Sequence, residues 1–109
     1  MSEVTIEKMM NRMPKDFLPE KAVGVEAVVQ YHLSGDEPGD WIITIRDGEC
    51  KVESGIAENP KMTLSAASQD YKDVILGKIN AMNAFMDGKL QLAGDLNLAM
   101  KLMTFFKLN

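Results

Sequence analysis

The 109-residue sequence has little of the side-chain chemistry on which most enzymes depend. It contains one cysteine, Cys50, and one histidine, His32. A single cysteine excludes an internal disulfide and suits a reducing compartment. The two residues are too few for a zinc site, and no Ser-His-Asp set can be assembled except through His32, which we expect to be a surface or core histidine in a strand. We therefore expect no catalytic residue, no metal site and no cofactor.

Basic clusters and long apolar runs are also missing. The net charge is -4 and the twelve Lys and Arg residues are scattered, which argues against a nucleic-acid partner. No window reaches the roughly 18 apolar residues of a membrane span, and the N-terminus lacks the apolar run of a signal peptide. We expect a cytoplasmic protein made of one domain, residues 1–109.

One acidic turn is the nearest approach to a cation site. It carries Asp36, Glu37 and Asp40. Their spacing does not match a calcium-binding loop, in which oxygen ligands recur at positions 1, 3 and 5 and a glutamate stands at position 12. We interpret the segment as a solvated turn.

Methionine is the residue type that the sequence has in excess. There are nine, and four of the eight internal ones lie in the last thirty residues. The unbranched methionine side chain fills irregular gaps and adapts to variable apolar partners. Two interpretations stay open: filler of an ordinary core, or the adaptable lining of a ligand site.

The segment from Asp95 to Phe106 has more apolar surface than a helix of a small protein needs. On a helical wheel its polar residues Asn97, Lys101 and Thr104 fall within a stripe about 60° wide. The apolar residues fill an arc of about 220°, whereas a surface helix needs about 100°. The surplus predicts contact with an apolar ligand, a partner chain or a membrane.

Periodicity predicts helices at both ends of the chain. The spacing of Ile6, Met9, Met10 and Met13 predicts an amphipathic helix that ends at or just after Pro14. Three further helices are predicted in the second half. One is capped by Ser68 and closed by Gly77, one carries Met82, Phe85 and Met86 and stops at Gly88, and one is capped by Asp95.

Alternation of apolar and polar residues predicts five strands. The first extends from Val23 to Leu33, and the others cover 41–46, 49–54, 61–66 and 90–94. Asp47-Gly48 is a strong signal for a two-residue hairpin. Strands in one run and helices mostly in another indicate an α+β domain.

The run from Gly77 to Leu102 resembles the C-terminal signature of the sterol carrier protein type-2 family. The shared features are Gly77-Lys78, the turn Phe85-Met-Asp-Gly-Lys-Leu90, and Gly94-Asp95 before an apolar helix. Upstream segments at 41–48, 55 and 62–65 follow the family's order of strands. The chain lacks the family's peroxisomal C-terminal tripeptide and any fused enzyme domain, and in this it is similar to a stand-alone bacterial-type member.

The resemblance implies a fold and a function. The fold is a five-stranded, mainly antiparallel sheet with helices covering one face and an apolar tunnel between the layers. The function is non-catalytic binding, and with it transfer, of lipids such as fatty acid, fatty acyl-coenzyme A, phospholipid or a sterol-like molecule. Gly88, Lys89, Gly94 and Asp95 are expected to shape turns and caps rather than to touch the ligand.

The lining of the lipid site is predicted from the direction in which apolar side chains face. The predicted residues are Trp41, Ile43, Met62, Met82, Phe85, Met86, Leu98, Leu102, Met103 and Phe106. The expected partner is a lipid or fatty acyl ligand, and transient membrane contact and a homodimer stay open. The alternative is an interaction or dimerisation module, or an accessory subunit, for an enzyme of lipid or quinone metabolism.

Overall fold

The computed structural model describes residues 5–106, which form four α-helices and five strands. In chain order these are α1 (Ile6–Asp16), β1 (Ala27–Ser34), β2 (Gly39–Arg46), β3 (Glu49–Ser54), β4 (Met62–Ala67), α2 (Ser68–Ile75), α3 (Ala81–Met86), β5 (Leu90–Gly94) and α4 (Leu96–Leu102). Single 3₁₀ turns lie at Pro19–Lys21 and Met103–Phe105. The predicted α+β class is confirmed.

The five strands form one sheet in the order β3-β2-β1-β4-β5. β1 pairs with β4 in parallel, and the other three pairings are antiparallel. The predicted mainly antiparallel sheet is therefore confirmed. The parallel pair requires the chain to cross from one edge strand, β3, to the far side of β1 through residues 55–61.

One face of the sheet is apolar across all five strands. The register sets Tyr31 beside Trp41 and Leu64, and Leu64 beside Leu92, so that one inward row crosses four strands. Residues of all four helices, including Met10, join these strands in one hydrophobic core. The predicted layer of helices over one face is confirmed.

The opposite face of the sheet carries the crossover. Gln30 lies on this face and is almost fully buried. Its amide nitrogen donates to the carbonyl oxygens of Tyr31, Trp41 and Gly55, at 3.2, 3.2 and 3.0 Å. Its amide oxygen accepts from the backbone nitrogen of Ala57, at 2.7 Å. One side chain thus fastens the start of the crossover to the sheet.

Two boundaries in the first half differ from the sequence prediction. α1 continues through Pro14 to Asp16, because a proline ring holds φ at a helical value and removes only one backbone donor. β1 begins at Ala27, whereas alternation predicted a strand from Val23. Val23 is exposed and Gly24 has φ +76°, so the chain turns before the strand begins.

Two helix termini also differ from the prediction. α2 begins at Ser68 itself, with Ala67 as the N-cap, and the Ser68 hydroxyl accepts a hydrogen bond from the Glu37 backbone nitrogen instead of capping the helix. The last helix was expected to reach Phe106, but α4 ends at Leu102 and continues as a 3₁₀ turn. None of the helices between residues 5 and 106 is long and apolar enough to cross a membrane.

Candidate functional site

The ten residues predicted to line a lipid site fall into three groups by exposure. Five are buried in the core: Ile43, Met62, Leu98, Leu102 and Phe106. Trp41 and Met103 are half-buried at its margin. Met82, Phe85 and Met86 are exposed. The structure thus brings seven of the ten together around one core and leaves three at the surface. Their role in binding a ligand stays a prediction.

The wide apolar arc of the last helix is divided between the core and the solvent. Leu98 and Leu102 are buried on one side of α4. Leu96 and Met100 are exposed on the other, and Met100 keeps 66% of its surface accessible. The sequence predicted that this helix has more apolar surface than the core can bury. Leu96 and Met100 are the part of that surface that stays exposed.

α3 exposes apolar side chains in the same way. The helix has six residues, and Asn80 caps it by accepting from the backbone nitrogens of Met82 and Asn83. Only Ala84 is buried. Met86 is 74% exposed. α3 packs beside the edge strand β5, and so does α4. The exposed apolar side chains of Met82, Phe85, Met86, Leu96 and Met100 therefore belong to the two helices that flank this strand; we call them the α3–α4 surface.

The end of the last helix is fastened to the end of α1. The rings of Phe17 and Phe106 pack at a centroid distance of 5.7 Å, inclined at 56°. The Leu18 backbone nitrogen donates to the Phe105 carbonyl oxygen at 2.7 Å. These contacts fix the 3₁₀ turn that follows α4, so that Phe105 and Phe106 are buried and Met103 lies at the margin of the core.

The motif residues that carried the family resemblance act as turn and cap residues, as predicted. Gly88 and Gly94 have φ values of +81° and +91°, which L side chains rarely adopt. The Asp95 carboxylate accepts from the Leu98 backbone nitrogen at 3.0 Å and caps α4. The Lys89 backbone nitrogen donates to the Ala84 carbonyl oxygen at 2.8 Å, closing α3.

Sequence reasoning missed a pair of tyrosines in the core. Tyr31 of β1 and Tyr71 of α2 lie edge to face, with ring centroids 5.3 Å apart and an interplanar angle of 70°. Burial raises the pKa of Tyr31 to about 12 and raises the pKa of Tyr71 well above its ordinary value. The inward direction of Tyr31 was readable from strand alternation. No local pattern indicated its partner, because Tyr71 approaches from a helix forty residues away.

The polar residues considered for catalysis or metal binding have structural roles. His32 and Asp40 face each other across β1 and β2, with Nδ1 2.7 Å from Oδ1, which confirms His32 as a cross-strand residue. Burial raises the pKa of the half-buried Cys50 thiol to about 11, so this thiol stays protonated at neutral pH. Within residues 5–106, no three His, Cys, Asp or Glu side chains are grouped as a metal site would need.

A separate depression of about 640 Å³ lies at one end of the sheet, where the chain enters β1 and turns from β2 to β3. It is open to solvent, and its wall includes the charged residues Glu26, Asp47 and Lys61. None of the ten predicted lipid-site residues lines it. An open wall of mixed charge does not suit an acyl chain, which needs an enclosed apolar surface.

Two curated relatives match most of this chain. Hydroxysteroid dehydrogenase-like protein 2 of Rattus norvegicus is 34% identical over 93 residues, which is 84% of this chain and 18% of the relative. Sterol carrier protein 2 of Rattus norvegicus is 29% identical over 99 residues, which is 91% of this chain and 18% of the relative. The chain therefore spans less than a fifth of the length of these relatives.

A solved structure matches over nearly its whole length. The crystal structure of sterol carrier protein 2 like 2 from Aedes aegypti superposes with a TM-score of 0.73 at 25% identity, covering 91% of this chain and 90% of that one. The model of the SCP-2 sterol transfer family matches residues 6–107. The predicted α+β fold with a five-stranded sheet and the predicted family are confirmed: this chain belongs to the SCP-2 sterol transfer family.

Proposed function

We propose that this chain is a single lipid-binding domain that holds one lipid between the sheet and the helices and passes it on without transforming it. Two features of the structure carry the proposal: the inner face of the sheet is apolar on all five strands, and the helices that cover this face are mostly short. Three of the helices above that face have only six to eight residues. Helices this short depend on packing for their stability, so the cover can separate from the sheet to admit a chain.

Burial of an acyl chain supplies the binding energy in this proposal. Each buried CH₂ group contributes about 0.8 kcal/mol, so a long chain needs few polar contacts. The core offers mainly apolar contacts, including those of Met62 and Leu102. Selectivity for chain length is therefore expected to be loose, as it is when a site is lined by adaptable side chains.

The position of the α3–α4 surface suggests that the lipid enters and leaves beside the edge strand β5. Its five exposed apolar side chains lie on the two helices that must move if the cover separates beside β5. Transient contact of this surface with a membrane would let a lipid move without crossing water. The half-buried free thiol of Cys50 suits action in a reducing cytoplasm.

The same surface also supports a second candidate, an interaction module. Large exposed apolar side chains on neighbouring elements are typical of protein contacts. The partner would be a second copy of this chain or an enzyme of lipid or quinone metabolism. The relatives named for dehydrogenase and carrier activities are much longer chains, so such an enzyme would be a separate protein here or a further part of a longer one.

Native mass spectrometry of the purified chain, followed by displacement of a fluorescent fatty acid, separates the two candidates. Lipid binding predicts a mass increment that organic extraction removes, and saturable binding of the probe at one site per chain. An interaction module predicts a mass without increment, an oligomer at micromolar concentration and no saturable binding of the probe. The second result would overturn the lipid proposal.

A further inference from the structure

The edge strand β3 presents a row of backbone groups that point away from the sheet. Its one neighbour in the sheet is β2. In an antiparallel pair, alternate residues bond to the neighbouring strand. The Gly55 backbone nitrogen donates to the Asp40 carbonyl oxygen at 3.0 Å and continues the register of the two strands, so the odd-numbered residues of β3 bond to β2. The N–H and C=O groups of Cys50, Val52 and Ser54 therefore point outwards, and no turn or loop among residues 5–106 bonds to them.

The side chains of β3 divide between the two faces of the sheet. Glu49, Lys51 and Glu53 are exposed on the outer face, and none of them forms an ion pair with another described residue. Cys50 and Val52 are half-buried on the inner face, at the margin of the core. Charges on an edge strand discourage pairing with an uncharged or wrongly aligned strand. This edge therefore suits a partner strand whose charges alternate in the opposite order.

The same strand of a second copy meets this requirement in one register. A two-fold axis makes the pairing antiparallel, and the outward backbone groups of one copy must face those of the other. With the axis at Val52, Lys51 lies opposite Glu53 of the second copy, and Glu53 lies opposite its Lys51. On the inner face Cys50 lies opposite Ser54, and the two Val52 residues face each other. Each of these inner pairs exchanges two backbone hydrogen bonds.

The neighbouring registers set like charges together. An axis at Lys51 places the two lysines opposite each other and Glu49 opposite Glu53. An axis at Glu53 places the two Glu53 residues opposite each other, and an axis at Cys50 places Glu53 opposite Asp47. Opposite charges on facing strands stabilise a pairing, and like charges directly opposite destabilise it. The charges of β3 thus favour the register centred on Val52.

We propose that this chain forms a two-fold dimer in which β3 pairs with β3 of a second copy about Val52, so that the two sheets become one. The inference goes beyond the proposed function and does not depend on it. β3 and β5 are opposite edges of the sheet, so the α3–α4 surface stays free in both copies. The contact involves few residues of each copy, and a small interface of this kind gives a weak dimer whose population rises with concentration.

Exchange of the two charges tests the pairing. Sedimentation equilibrium of the full chain, between about 10 µM and 1 mM, measures association of the wild type, Lys51→Glu, Glu53→Lys and the double variant. Each single variant places like charges opposite each other in both pairs and should weaken the dimer by about tenfold. The double variant restores opposite charges and should dimerise as the wild type does. A mixture of the two single variants should form heterodimers.

Cross-linking tests the register separately. Ser54→Cys places a thiol opposite Cys50 of the second copy, and mild oxidation should join the two copies through these residues. Within one strand the two thiols are too far apart to bond, because a strand rises about 3.4 Å per residue. The matched control adds Lys51→Glu to Ser54→Cys and should lose the cross-link.

Three results would overturn the inference. They are a wild type that stays monomeric at the highest concentration, a dimer that both single charge variants leave intact, and a Ser54→Cys dimer that does not cross-link through Cys50. A dimer that survives the charge variants would use another surface, such as the α3–α4 surface. Titration of a fluorescent fatty acid into the same variants tests the proposed function independently, since the exposed charges of β3 lie outside the predicted lipid site.

Discussion

The Glu37 carboxylate is ion-paired with the Lys72 ammonium group and also accepts a hydrogen bond from the Ile6 backbone nitrogen, at 2.8 Å. Ile6 is the first residue of α1, Lys72 lies on α2, and Glu37 lies in the turn between β1 and β2. The Glu37 backbone nitrogen in turn donates to the Ser68 hydroxyl, at 3.1 Å. One residue of a loop therefore joins the first helix of the cover, α1, to the second, α2.

Glu37→Gln is expected to lower the free energy of unfolding by about 1 kcal/mol at neutral pH. The substitution replaces the charged carboxylate that binds Lys72 and the Ile6 backbone nitrogen with a neutral amide. The hydrogen bond and ion pair with Lys72, and the bond from Ile6, hold the pKa of Glu37 below its ordinary value of 4.5. This contribution to stability is complete above pH 4.5 and is lost as the pH falls towards the lower pKa of the folded state. Urea unfolding at several pH values measures it.

The control is Asp36→Asn, which removes the exposed neighbouring carboxylate. The gap in stability between wild type and Glu37→Gln should narrow below pH 4.5, and Asp36→Asn should unfold as the wild type does throughout. A gap of constant size across this range would show that the charge of Glu37 does not stabilise the fold.

Gly94→Ala is expected to cost about 3 kcal/mol. A Cβ atom at this position would lie 2.5 Å from the Lys61 carbonyl oxygen and 2.9 Å from the Met62 Cα, and both are backbone atoms that cannot give way easily. The positive φ adds strain. The matched control is Gly88→Ala, where φ is similarly positive but no atom lies within 4 Å, so about 1 kcal/mol is expected. Equal losses in chemical denaturation would show that the close approach to β4 does not matter.

Gln30→Met is expected to destabilise the fold by about 2–3 kcal/mol. The substitution keeps the length of the side chain but leaves the Gly55 carbonyl oxygen and the Ala57 backbone nitrogen without their partner. Gln91→Met, on the exposed face of β5, is the control and should change little. If hydrogen exchange of residues 55–61 is the same in Gln30→Met and in the wild type, Gln30 does not hold the crossover.

Turn residues and the alternation of apolar and polar residues correctly predicted the segments whose structure depends on residues close in sequence. Asp47 and Gly48 have φ values of +52° and +74°, as the hairpin signal requires. The strand Glu49–Ser54 that follows has the predicted bounds, and so does Leu90–Gly94. In these segments alternation, turn residues and pairing all favour the same structure.

The features that local chemistry could not predict depend on partners distant in sequence. Glu37 was interpreted as part of a solvated turn, because the groups that it binds come from α1 and α2. Tyr31 and Tyr71 meet only once α2 lies on the sheet. The last helix could be recognised as too apolar, but the side of it that is buried depends on where α4 packs against β4 and β5. The parallel pairing of β1 with β4 could not be predicted either, because it depends on the path of the crossover, residues 55–61.

Two substitutions on the last helical segment test the predicted lining of the lipid site. Met103 is half-buried against the core, and Met100 is exposed. Met103→Trp places a larger, rigid side chain at the margin of the core and should weaken binding of a fluorescent fatty acid by about tenfold, because it occupies space that the acyl chain needs. Titration of the probe into each purified variant gives the dissociation constants.

Met100→Trp makes the same exchange three residues away on the outward side, and its affinity should stay within about twofold of the wild type. Both variants are first compared in urea unfolding, so that a loss of binding is not a loss of fold. If the two variants bind the probe equally well, Met103 does not line the site. If Met100→Trp alone weakens binding, the lipid lies against the α3–α4 surface rather than between the helices and the sheet.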